Sequence, residues 1–69
     1  MHDIFTYRIT VRDKLDEQAF NATSPLQVTV EHVDLAETHF TVYADQSGLI
    51  GLLRHLHHQG FVILAVRRE

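Results

Sequence analysis

Apolar and polar residues alternate along the first half of the chain. Phe5, Tyr7, Ile9 and Val11 alternate with Thr6, Arg8 and Thr10, which predicts a half-buried strand over residues 4–11. Leu26, Val28 and Val30 alternate with Gln27, Thr29 and Glu31, and Phe40, Val42 and Ala44 with Thr41 and Tyr43. The polar stretch Asp34-Leu35-Ala36-Glu37 between these two runs predicts an antiparallel hairpin. Pairing Val30 with Phe40 and Val28 with Val42 keeps the apolar residues on one side. It sets Glu31 opposite His39, Thr29 opposite Thr41 and Gln27 opposite Tyr43 on the other.

The period then changes. Leu49, Leu52, Leu53 and Leu56 form a helical stripe, widened by Ile50. Asp45 is placed to cap the helix start, and Gly60 to take the left-handed position after its end, with Phe61 folding back on Leu56. Phe61 to Val66 is apolar on both faces, the pattern of a strand covered on both sides, and Arg67-Arg68-Glu69 ends it.

Residues 12–25 fit neither period well. Arg12-Asp13-Lys14 reads as a turn and Asn21 to Pro25 as loop, with Ser24 held extended by the proline after it. Leu15, Ala19 and Phe20 lie at helical spacing and predict at most a turn or two of helix. The result is a single α+β domain over residues 1–69, a four-stranded mainly antiparallel sheet with one main helix on one face. Two topologies fit. In β-β-β-α-β, residues 12–25 are a long connection and the last strand returns parallel to an earlier one by a right-handed crossover. In ferredoxin-like βαββαβ, residues 15–22 are a true helix. The few apolar residues in that stretch, and its shortness for a crossover, favour the first.

Composition narrows the class. With 69 residues and no cysteine, the core is small and no disulfide can reinforce it. A hydrophobic content of 45% is too high for a disordered chain. Net charge is −3, and the six basic residues are dispersed, which argues against nucleic acid as a partner. Met1-His2-Asp3 carries no basic leader, and no apolar run approaches a membrane span, so a cytoplasmic protein is the expectation.

Candidate chemistry is sparse. His55 and His58 lie three apart on the helix and could share a metal, but two ligands are too few, so the helix histidines read as solvated groups at a helix end. On the hairpin, His39 is expected on the outer face beside Glu31 and His32 on the inner face, pointing apart. Asp13, Asp16 and Glu17 read as a solvated loop. Ser47 is too far along the helix from the histidines to be activated by them, and no phosphate-loop spacing surrounds Gly48 or Gly51. Ser47 and Gly51 instead form a small-residue face suited to close packing. No catalytic set and no cofactor is expected.

Tyr7-Arg8-Ile9-Thr10-Val11, Leu15-Asp16-Glu17, and Ala44-Asp45-Gln46 with Leu49, Gly51, Leu52 and Leu53 before Gly60 resemble a group of small uncharacterised bacterial proteins. Those proteins show Y-R-I-x-V, L-D-E and D-Q-x-x-L-x-G-L-L in that order. Members carry a tryptophan-rich segment after L-D-E, where this chain has Gln18-Ala19-Phe20 and no tryptophan. The resemblance implies an architecture and no activity.

One helix cannot cover four strands. Tyr43, Gly51, Phe61 and Ile63 are therefore the expected interface residues, through which a non-enzymatic module forms a homodimer or docks on a protein partner. A small-molecule or metal-binding regulatory domain is the alternative.

Overall fold

The computed structural model describes residues 3–69; Met1 and His2, and with them most of the stretch read for a leader, lie outside the described residues. The elements are β1 (Phe5–Arg12), α1 (Glu17–Thr23), β2 (Val28–Val33), β3 (Glu37–Ala44), α2 (Gln46–His58) and β4 (Ile63–Arg68). The sheet order is β2-β3-β1-β4, and each neighbouring pair is antiparallel. This is the ferredoxin-like βαββαβ arrangement, an α+β fold. The favoured five-element topology is corrected in one respect: residues 17–23 are a helix. β4 returns parallel to an earlier strand, β3, with β1 between them.

The alternation of apolar residues builds the core. Ile9 and Val11 of β1, Val28 of β2, and Phe40 and Val42 of β3 are buried on one sheet face, beneath Leu52 and Leu56 of α2 and Phe20 of α1. Leu15, just ahead of α1, is buried with them, whereas Ala19 points to solvent. Ile50 is also exposed, so the stripe of α2 is carried by its four leucines alone.

Both ends of α2 form as the sequence predicts. The Asp45 carboxylate accepts from the Gly48 amide at 2.7 Å. At the other end Gly60 has φ 89°, its amide reaches the His57 carbonyl and the Phe61 amide reaches the Leu56 carbonyl, both at 3.0 Å. Those paired bonds are a Schellman stop, which a left-handed glycine permits. A Cβ at Gly48 would lie 3.4 Å from both Ala44 and Leu26, so the missing side chain lets the helix start close to them. Gly51 has nothing near it.

The hairpin register holds from Val28 to Val30 and then shifts. Glu31 is bulged out, and His32 rather than Glu31 lies opposite His39. A second shift, between Thr10 and Val11, leaves Leu64 as the extra residue of β4.

Thr38 is the one buried polar residue among those described. Its hydroxyl accepts from the Leu15 amide and donates to the Asp13 carbonyl, both at 2.9 Å. It thereby ties the β1–α1 connection to β3. The same connection turns at Asp13, which has φ 71° and donates its amide to Ala36.

Candidate functional site

The two outer strands of the sheet are finished differently. Along a strand, every second residue points its backbone N–H and C=O outward, and on an edge strand these groups have no sheet partner. On β2 those of Val28 and the Val30 amide are taken up by α1. The Asn21 side chain accepts from the Val28 amide at 2.9 Å and donates to the Val28 carbonyl at 3.0 Å. The Glu17 carboxylate accepts from the Val30 amide at 2.6 Å. Two polar side chains of a seven-residue helix thus imitate a neighbouring strand along the first half of that edge.

β4 has no such cover. The Glu69 amide donates to the Thr6 carbonyl, which fixes the phase. Glu69, Arg67 and Ala65 face β1, so the backbone groups of Arg68 and Val66 face outward. Among the described residues, no side chain bonds to them. The side chains along this edge are apolar and partly open to solvent, with Val62 46%, Leu64 44% and Val66 39% exposed.

Of the four expected interface residues, only some fit this surface. Phe61 is half-buried with its ring edge-on to Phe20 at 6.2 Å, and Ile63 packs against the core. Their expected exposure is corrected: Phe61 is covered by Phe20 of α1, and Ile63 faces the core on the side of the sheet that α2 packs against. Tyr43 is 74% exposed but lies on the outer face of β3, with β1 between it and β4. Gly51 lies on the open side of α2. The structure does not gather the four into one patch. Val62, Leu64 and Val66 were the residues to find, and the signal was present in the unbroken apolar run from Phe61 to Val66; the bulge at Leu64 puts Val66 on the same face as Ile63.

The histidines are also rearranged. His55 is not a solvated helix-end group. Its ring packs on Phe20 with centroids 5.3 Å apart, and its Nε2 is buried without a hydrogen-bond partner. His58 is exposed, its ring 6.2 Å from that of His57. The Glu31 bulge brings His32 and His39 onto the same side, rings 5.9 Å apart, where they had been expected to point away from each other. His39 Nε2 lies 2.8 Å from the Glu37 carboxylate and its Nδ1 3.0 Å from the Thr10 hydroxyl. His32 lies 3.5 Å from the Asp34 carboxylate. The amides of Glu37 and Ala36 hold the Asp34 carboxyl below the ordinary carboxylate range, and His32 adds to the effect. Among the described residues, no three histidine, aspartate or glutamate side chains are grouped to hold a metal.

A shallow cavity of about 660 Å³ opens at the start of α2, lined by Asp3, Phe5, Tyr7, Asp45, Ser47 and Arg68. Arg68 stacks over Phe5, 4.5 Å from its ring centre. Among the described residues, no hydrogen bond joins Ser47 to a histidine. Asp13, Asp16 and Glu17 are all exposed, and Glu17 serves the β2 edge. No helix among the described residues is long and apolar enough to cross a membrane.

Fold and surface together define a small α+β domain with one sheet edge sealed and the other open. The chain belongs to a family described as a domain of unknown function, DUF8691, whose model matches residues 6–67. No curated protein matches the chain, and no solved structure does.

Proposed function

We propose that this protein is a non-enzymatic protein-interaction module that docks through the open edge of β4. The observation that carries the reading is the contrast between the two edges. Side chains of α1 cap the outward amides of Val28 and Val30, while no described side chain caps the outward groups of Val66 and Arg68. An apolar strand edge left open attracts another strand, because pairing satisfies the backbone and removes the side chains from water. The exposed apolar side chains of Val62, Leu64 and Val66 along the same edge support a binding role. A cytoplasmic, cysteine-free setting fits the composition.

Replacing Leu64 and Val66 together by lysine tests this. Charge on both positions keeps the edge in water and leaves the buried core untouched. Sedimentation of the unmodified chain, and recovery of bound proteins with a tagged copy, should each show associations that the double variant loses. Associations that survive the double substitution would remove β4 as the docking surface.

A further inference from the structure

We infer that the occupant of the β4 edge is a second copy of this chain, paired antiparallel through β4 about a two-fold axis at Val66. This rests on the reading of β4 as the docking edge and goes beyond it by naming the partner and the register. The first reason is which edges a second copy can offer. On its β2 edge Asn21 and Glu17 occupy the bonds of Val28 and the Val30 amide, so head-to-tail addition of β4 along that stretch would have to displace them. The β4 edge carries no such cover, and like edges meeting give a closed, two-fold pair rather than a growing chain. A strand paired antiparallel with its own copy satisfies the backbone of both by symmetry.

The second reason is charge, which restricts the register. An axis at Arg67 or Arg68 would stack arginines of the two copies directly opposite each other, which is unfavourable. An axis at Leu64 would fall on the bulge. At Val66 the outward N–H and C=O of one copy meet those of the other, so the pair exchanges two hydrogen bonds. Arg67 then faces Ala65 of the second copy and Arg68 faces Leu64, which keeps all four guanidiniums apart. Val66 lies in register with Ile9, on the same sheet face as the core, so Val66 also meets its own copy on the helix-covered side. The product is one eight-stranded sheet.

The chain has no cysteine, so a single introduced thiol reports alone. Paired Cα atoms in a hydrogen-bonded antiparallel pair lie about 5.5 Å apart, within disulfide reach. Under mild oxidation Val66→Cys should become mostly disulfide-linked dimer. Thr29→Cys, on the closed β2 strand, should remain monomeric. A freely cross-linking Thr29→Cys, or a Val66→Cys that stays unlinked while the unmodified chain sediments as a dimer, would overturn this register and leave the docking edge standing. An unmodified chain that sediments as a monomer at high micromolar concentration would overturn self-pairing, while loss of a bound protein in the Leu64, Val66 double-lysine variant would still uphold the edge.

Discussion

Single polar side chains hold this fold at places where the backbone alone would leave gaps. Thr38 is the clearest case. Its phase with Phe40, Val42 and Ala44 puts it on the buried face, and a valine there would match its shape. The hydroxyl is nevertheless required, because the Leu15 amide and the Asp13 carbonyl have it as partner. Thr38→Val should cost about 2 kcal/mol, the penalty for leaving buried backbone groups unpaired. Equilibrium urea unfolding measures this. Thr29→Val, at an exposed position of β2, should shift the midpoint little. A Thr38→Val chain as stable as the parent would show that water replaces the hydroxyl. The sequence held this residue's phase but not its role, since its partners come from a connection more than twenty residues away.

Elements marked by local chemistry were readable in the sequence. Asp45, the leucine stripe and Gly60 delimit α2 because cap, stripe and stop all act within a few residues. The hairpin register was readable as far as Val30 for the same reason. The bulge at Glu31 shows in the sequence only as a change of phase, with the apolar positions moving from Val28 and Val30 to Val33. α1 is only weakly marked in the sequence because its stretch holds few apolar residues. Its polar residues are instead committed to the edge of β2, a role no local pattern displays. Asn21→Ala tests that role. Losing both bonds to Val28 should cost about 1–2 kcal/mol. It should also open the second edge, so light scattering should detect species larger than a dimer in concentrated solution. Persistence of the dimer as the largest species would show that α1 shields the edge by bulk rather than by its hydrogen bonds.

At the scale of the whole molecule, a chain of 69 residues without disulfides has a small core. Capping part of one edge with its own side chains and, in the proposed dimer, pairing the other with a second copy would complete the sheet without more sequence. The apolar run from Phe61 to Val66 signalled a strand needing cover on both sides. It did not say that Phe61 and Ile63 find theirs within the chain while Val62, Leu64 and Val66 do not. That division depends on α1 and on the Leu64 bulge, both set by tertiary packing. Residue-resolved amide hydrogen exchange on the unmodified chain addresses the difference between the edges most directly. Val28 and Val30 should exchange slowly at every concentration. Val66 and Arg68 should exchange fast in dilute solution and slow down as concentration rises. Equal protection of all four amides in the dilute chain would contradict an open β4 edge.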